Sequence, residues 1–352
     1  MQTLIQSWPG ECVVSAFDHE TGTWIFIAIH DTTLGPAMGG CRMKTYAAPA
    51  DGLRDAMRLA EGMTCKWAVI GFDLGGGKSV LAVPRPLDGA ARRGLLLRFG
   101  RLVASLRGAY AMGPDLGTTP EDMAVIGGVT EHVHGYDRRT GTALDPGPYT
   151  ALGTFVGMRA ALAHAFGSAE FRGRTVLIQG VGDVGVPLAR RCADAGATLL
   201  LSDADSARAT RVAGELGART VPAEEVYITP CDVYAPCAVG GTINARSVPQ
   251  LACRIVAGCA NNQLGEAADA DRLHARGILY APDYVINAGG ATALPLLGHG
   301  SSDEEVQLRI RGFEGTLTRI FEEATSRSES PHRAAQRMVD TVLEVRRAQR
   351  TP

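Results

Sequence analysis

Lysine is nearly absent: the 352-residue chain holds three, against thirty-two arginines. An arginine stays protonated at any working pH, whereas a buried lysine can fall toward neutrality and handle a proton. Where only positive charge was needed, arginine has taken the place, so each lysine that remains is a candidate for chemistry. Lys44, in the polar run Arg42-Met43-Lys44-Thr45, reads as a surface residue. Lys66 and Lys78 stand in Gly62-Met63-Thr64-Cys65-Lys66 and Gly75-Gly76-Gly77-Lys78-Ser79, and a triple glycine lets backbone approach a neighbour closely. Excess charge is lacking too. A net charge of −2 and a pI near 6.5 give no electrostatic case for a nucleic-acid or membrane partner. No stretch reaches about 18 uninterrupted apolar residues, and the opening residues lack the basic start and apolar run of a signal peptide, so the expected location is the cytoplasm. The eight cysteines form no Cys-x-x-Cys pair and read as reduced core thiols, and the eight histidines show no ligand spacing, so no metal site is expected.

What is present is ordinary for a globular protein long enough for two domains: 45% hydrophobic and 20% charged residues. Val13 to Phe17 and Trp24 to Ile29 read as a hairpin joined by His19-Glu20-Thr21-Gly22. Helical spacing follows over Gly52 to Gly62 and Ala90 to Leu106. The Gly/Pro/Asp/Arg-rich stretch from Tyr136 to Thr150 marks a domain junction. After a helix near Leu152 to Phe166, strands and helices alternate: strand Thr175 to Gln179, helix to Ala195, strand Thr198 to Ser202, helix to Leu216, then strands Cys231 to Ala235 and Arg254 to Ala257. That alternation predicts a parallel, doubly wound sheet. Helical spacing returns at Val306, Ile310, Phe313, Leu317 and Ile320, and a last helix runs from about His332 to Arg347.

Within the alternating region, Thr175 to Gln179 leads into Gly180-Val181-Gly182-Asp183-Val184-Gly185, with Asp203 following the next strand. Gly180 permits the tight turn, Gly182 lets a pyrophosphate approach the backbone, and Gly185 lets the helix pack on the strand. Asp203 would accept the ribose hydroxyls and repel a 2′-phosphate, which favours NAD over NADP. A phosphate-binding P-loop at Gly77-Lys78-Ser79 is excluded, because its first glycine would fall at 72, where the chain has Phe72. Lysine chemistry beside NAD suggests hydride removal from a carbon bearing nitrogen or oxygen. Asp115, in Met112-Gly113-Pro114-Asp115-Leu116-Gly117-Thr118-Thr119, is the natural carboxylate partner.

Eight collinear motifs together resemble the leucine/valine/phenylalanine dehydrogenase branch of the glutamate dehydrogenase superfamily. They are Leu34 to Gly40, Gly62 to Lys66, Gly75 to Lys78, Pro114 to Thr118, the glycine fingerprint, Tyr234 to Ala238, Ala260 to Gln263 and Tyr280 to Gly290. The resemblance implies an α/β protein with an N-terminal mixed α/β substrate domain, a doubly wound Rossmann NAD-binding domain, and a cleft between them. Residues 1–142, joined by C-terminal helices at about 325–352, would form the substrate-binding, catalytic and oligomerisation domain, and 143–324 the Rossmann domain. The implied reaction is NAD-dependent, reversible oxidative deamination of an L-amino acid to a 2-oxo acid and ammonia, by a homo-oligomer. Lys66 would hold the substrate carboxylate, assisted by the Gly39 and Gly40 backbone and by Asn262. Lys78 would activate the water that attacks the substrate iminium, and Asp115 would exchange protons with the amino group. Thr150, Asn261, Asn287 and the turn through Cys237, Ala238 and Val239 would line the cofactor.

The resemblance also bears on the substrate. Met38 stands where glutamate dehydrogenases carry a lysine, so glutamate is not expected. Gly113 and Leu294 match the pair in phenylalanine-preferring relatives rather than the Ala and Val of leucine- and valine-preferring ones, and Ala291 removes further bulk. Phenylalanine is therefore expected ahead of tryptophan, leucine or valine. Segments 143–150 and 291–298 depart from the family pattern. A 2-hydroxy-acid dehydrogenase would want a His/Arg pair that is not apparent, and a non-catalytic NAD-binding regulator would have lost a lysine or aspartate that this chain keeps.

Overall fold

The computed structural model describes residues 1–350. They form two units, the first built from Met1–Asp145, Leu294–Ser301 and the residues from Thr341 onward, the second from Pro146–Ala293 and Ser302–Asp340. In the first unit a short helix α1 (Gln2–Ser7) precedes the expected hairpin, β1 (Cys12–Asp18) antiparallel to β2 (Thr23–Asp31). Then come β3 (Ala37–Lys44), α2 (Pro49–Ile70), β4 (Gly75–Ala82), α3 (Gly89–Ser105), β5 (Tyr110–Pro114) and α4 (Pro120–Gly127). The sheet order is β1-β2-β4-β3-β5, with β3 parallel to both its neighbours and the β2–β4 pair antiparallel.

Two sequence expectations change here. The helix over 52–62 runs on to Ile70, where Gly71 closes it at φ 71°, so Lys66 lies in a helix rather than beside one. The triple glycine, which carries no apolar alternation, opens the fully buried strand β4. Its glycines are set by close approach: a Cβ on Gly76 would overlap Thr64 Oγ1 and lie 2.5 Å from the Ala60 carbonyl oxygen on α2. On the other face, a Cβ on Gly77 would fall 2.8 Å from the Tyr110 ring. Strand alternation then turns Gly76, Lys78, Val80 and Ala82 toward α2, where Phe26, Leu53, Ala56 and Met57 complete a core. Leu81 faces the other core with Phe99, Tyr110 and Met112. Gly76→Ala is expected to cost about 1–3 kcal/mol through overpacking, a fall in Tm of roughly 2–10 °C, measurable by calorimetry; an unchanged Tm would remove this reason for the glycine.

The second unit holds α5 (Gly147–Phe166), β6 (Thr175–Gln179), α6 (Gly185–Asp194), β7 (Thr198–Ser202), α7 (Ser206–Leu216), β8 (Arg219–Thr220), β9 (Cys231–Pro236), β10 (Cys253–Val256), α8 (Ala268–Ala275) and β11 (Leu279–Tyr280). After them come α9 (Asp283–Ile286), α10 (Gly289–Gly298), α11 (Asp303–Arg311), α12 (Phe313–Arg327) and α13 (Pro331–Arg350). All six strands are parallel in the order β11-β10-β9-β6-β7-β8. The order runs outward from β6 in both directions, which makes a doubly wound Rossmann sheet with its switch point between β6 and β9. Val176, Leu177 and Ile178 of β6 are wholly buried, in the manner of a parallel strand covered on both faces.

The C-terminal partition differs from the expected one. Residues 325–340 pack with the second unit, and only Thr341 onward joins the first, where Arg347 Nη2 reaches Asp31 Oδ2 at 2.6 Å and Arg346 pairs with Asp73. Leu294–Ser301 also belongs to the first unit. Among the described residues no helix is long and apolar enough to cross a membrane.

Candidate active site

Three elements of the first unit bring charge together. Lys78 projects from β4, Asp115 follows the last residue of β5, and Arg42 comes from β3 between them. The Lys78 ammonium donates to Asp115 Oδ2, and Arg42 Nε donates to Asp115 Oδ1 at 2.9 Å. The Leu116 amide is the carboxylate's third donor, reaching Oδ1 at 2.6 Å. The Asp115 turn is itself fixed, since its N–H donates to Thr118 Oγ1 at 3.0 Å and that hydroxyl donates to the Cys41 carbonyl at 2.7 Å. Lys78 is 4% exposed and Asp115 12%, so the pair is shielded from bulk water. Burial alone would push the Asp115 carboxyl up, but the Lys78 ammonium and the Arg42 guanidinium override it and hold the group well below the usual carboxylate range.

Gly40 leaves room for this pair: a Cβ there would lie 2.7 Å from Lys78 Nζ and 2.8 Å from Asp115 Cβ. Gly39 approaches the backbone of Gly77 so closely that a Cβ would overlap its carbonyl oxygen. Met38 is 4% exposed, and its carbonyl accepts the Trp67 indole N–H at 2.9 Å. Lys66, one residue before that tryptophan on α2, is 8% exposed. Gly113 borders Leu294, whose Cδ1 would stand 3.3 Å from a Cβ at 113. Lys44, by contrast, is exposed at the end of β3 and lies over the Tyr46 ring at 5.2 Å.

Sequence reasoning missed Arg42 and what lies behind it. Arg42 Nη1 also donates to Asp55 Oδ2 at 2.9 Å, and Asp55 accepts the Tyr46 hydroxyl at 2.7 Å. A signal existed: period-two counting from Gly40 puts Arg42 on the same face of β3. It goes unseen unless β3 is recognised as a strand, and Met38-Gly39-Gly40-Cys41 does not look like one. His134 was missed as well. Burial, with His299 beside it, pushes its pKa down to about 4, so a neutral ring sits 5.8 Å from His299 in a T-shaped contact.

In the second unit the glycine turn opens α6. Gly180 has φ 101°, and a Cβ on Gly185 would overlap the Gly180 carbonyl oxygen, the close helix–strand packing expected of it. A Cβ on Gly182 would meet nothing within 4 Å, so its backbone faces open space that a pyrophosphate can enter. Asp183 is exposed and Val184 leads into the helix. Asp203 Oδ2 accepts the Val181 amide at 2.8 Å, while its Oδ1 accepts the Asp205 amide at 2.9 Å and Arg208 Nη2 at 2.7 Å. Burial opposes its charge, but Arg208 and those amides hold its pKa below the usual range.

Beyond β9, Cys237 is half-buried while Ala238 and Val239 are exposed. The Asn261–Asn262 turn is rigidly held: Asn262 sits at φ 51°, and Gln263 Nε2 donates to the Gly258 and Ala260 carbonyls at 2.7 and 3.1 Å. Asn287 Nδ2 donates to Asn261 Oδ1 at 2.8 Å. Thr150 Oγ1 accepts the Gly290 amide at 3.1 Å, and Ala291 follows on α10, half-buried. An open backbone at Gly182, a carboxylate at the end of β7 and the β6/β9 switch point fit a dinucleotide. The eight cysteines are all free thiols, four of them buried and Cys12 exposed, so Cys12 departs from the core reading.

Residues 17–132 match the family description "Glu/Leu/Phe/Val dehydrogenase, dimerisation domain", and residues 200–348 match "Glutamate/Leucine/Phenylalanine/Valine dehydrogenase". The chain is 39% identical over 347 residues to a leucine dehydrogenase of Bacillus subtilis (strain 168), spanning 99% of this chain and 95% of that protein. It is 36% identical over 339 residues to a phenylalanine dehydrogenase of Lysinibacillus sphaericus, spanning 95% and 88%. The crystal structure of L-tryptophan dehydrogenase from Nostoc punctiforme superposes with a TM-score of 0.83 at 35% identity, covering 99% of this chain and all of that one.

Proposed function

The chain belongs to the glutamate/leucine/phenylalanine/valine dehydrogenase family and is an amino-acid dehydrogenase, and we propose that it oxidises a hydrophobic, aromatic L-amino acid, phenylalanine first, to its 2-oxo acid and ammonia. The cofactor is NAD, held by the Gly180–Gly185 turn and Asp203, and when bound it accepts the hydride from the substrate carbon. The observation that carries the reading is a buried lysine hydrogen-bonded to a largely buried aspartate, Lys78 to Asp115, in the region that matches the family's dimerisation domain. We assign that region, with the C-terminal residues that pack on it, to substrate binding and to assembly as a homo-oligomer.

The residues then divide the work. Lys66 Nζ holds the substrate carboxylate, with the Gly39 and Gly40 backbone assisting. Lys78 Nζ takes a proton from the water that attacks the iminium carbon. Asp115 exchanges a proton with the departing nitrogen. Shielding of the pair from bulk water strengthens each of these charge interactions.

Substrate choice rests on the side-chain pocket. Met38 offers no charge to a substrate carboxylate, and Gly113 adds no side chain beside Leu294. With NADH formation followed across a panel of L-amino acids, phenylalanine is expected to exceed valine in kcat/KM by about 10-fold or more, because a few methyl groups are worth about 1–3 kcal/mol. Glutamate is expected to be inert. A strong preference for leucine or valine would overturn the pocket reading and leave the reaction class standing.

A further inference from the structure

We propose that Arg42 is a positioning residue for the reaction: by holding one oxygen of Asp115 while Lys78 holds the other, it shares the carboxylate's charge and leaves the lysine free to give up its proton. The inference rests on the reading of Lys78 as the base.

A lysine buried against a single aspartate is a poor base, because an opposite charge within about 4–6 Å favours the protonated amine. Lys78 is in that position with respect to Asp115. Arg42 changes the balance. Its Nε sits 2.9 Å from Asp115 Oδ1 and its Nη1 2.9 Å from Asp55 Oδ2, with both Arg42 and Asp55 only 13% exposed. Lys78, Asp115, Arg42 and Asp55 thus form a shielded row of alternating charge. The guanidinium never deprotonates, so its pull on Asp115 is permanent, and its planar fork spans two carboxylates as a lysine could not. Asp55 aims the fork from behind, and is itself held by Tyr46 and by Arg58 Nη2 at 3.0 Å.

The other groups around the row leave this balance intact. Burial pushes the Cys41 thiol up to about 12 and the Tyr110 phenol well above its ordinary value, so both are neutral at working pH. Burial, then the bond to Asp55, raises Tyr46, which stays a donor. Asp122, across from Cys41, is already paired with Arg92 through Nε at 2.9 Å.

The test is the pH profile of kcat/KM for amino-acid oxidation by the full-length enzyme. Activity needs the neutral amine, so it rises with pH. Arg42→Met removes the competing cation and is expected to move the rising limb to higher pH by about one unit, the size expected of a unit charge one carboxylate away. Asp55→Asn removes an anion and is expected to move the limb to lower pH. Arg42→Lys, which keeps the charge, should return the limb toward the parent position with a reduced kcat. General loosening of the site would lower rates without driving the limb in opposite directions. Limbs that stay put, or shift the same way in both variants, overturn the proposal. If Arg42→Met does not fold, Asp55→Asn decides alone, and an unmoved or upward limb rejects the idea. Lys78→Ala in the same assay separates the two levels: full activity there sinks the base assignment, whereas an inactive Lys78→Ala with unmoved limbs sinks only the role of Arg42.

Discussion

Replacing Lys78 by arginine is expected to lower kcat for amino-acid oxidation by about 100- to 10,000-fold, the range assigned to a positioned general base, with NAD affinity unchanged. The reason is that a guanidinium keeps its proton at any usable pH, so the variant preserves charge and the partnership with Asp115 while deleting the one property proposed to matter. NAD affinity reports on the second unit, which holds the glycine turn and Asp203, and an unchanged Tm serves as the folding control for the first. A guanidinium is also bulkier than an ammonium, and Gly40 shows how little space surrounds Nζ, since even a Cβ there would lie 2.7 Å away. Lys78→Ala removes the size objection. It should be equally slow and should regain part of its rate when small primary alkylamines are added, with the recovery growing as pH rises and more of the added amine is neutral. Arginine or alanine variants that turn over as fast as the parent would end the base assignment.

The two units differed in how much of them could be read from sequence, and the difference is physical. β6 and β7 are parallel strands covered on both faces, so Thr175–Gln179 and Thr198–Ser202 appear as unbroken apolar runs bounded by glycine and polar residues. Their limits in the structure coincide with those expected. β4 does the same structural work with Gly75-Gly76-Gly77-Lys78, because α2 lies too close for side chains. A strand made of absences has no periodicity to detect. The lysines could be singled out because the chain uses so few. Arg42 could not, being one of thirty-two arginines, and its partners Asp55 and Asp115 lie 13 and 73 residues away along the chain. The same compositional bias that exposes Lys78 conceals the arginine beside it. The C-terminal helices show a further limit. Their spacing tells which face is buried but not against what, and residues 325–340 pack with the second unit rather than the first.

Asp115→Ala is expected to destabilise the first unit strongly. It strips the anion from between Lys78 and Arg42, two cations that are 4% and 13% exposed, and breaking a buried pair in this way costs about 3–5 kcal/mol because the partner charge is left uncompensated. Asp115→Asn should cost less, since an amide oxygen can still accept one of the hydrogen bonds, while sharing the loss of charge. The pH dependence follows from the depressed pKa of Asp115. A carboxyl whose pKa is lower in the folded than in the unfolded chain contributes its full stability above the unfolded value of about 3.9, and loses it as pH falls through the folded value. The stability gap between parent and Asp115→Asn should therefore be constant from neutral pH down to about 5 and narrow only in stronger acid. Urea denaturation of both proteins across that range measures it directly. A gap that narrows instead as pH rises from 5 to 8 would mean that Asp115 is protonated in the folded protein, and that Lys78 has no anion to share with Arg42.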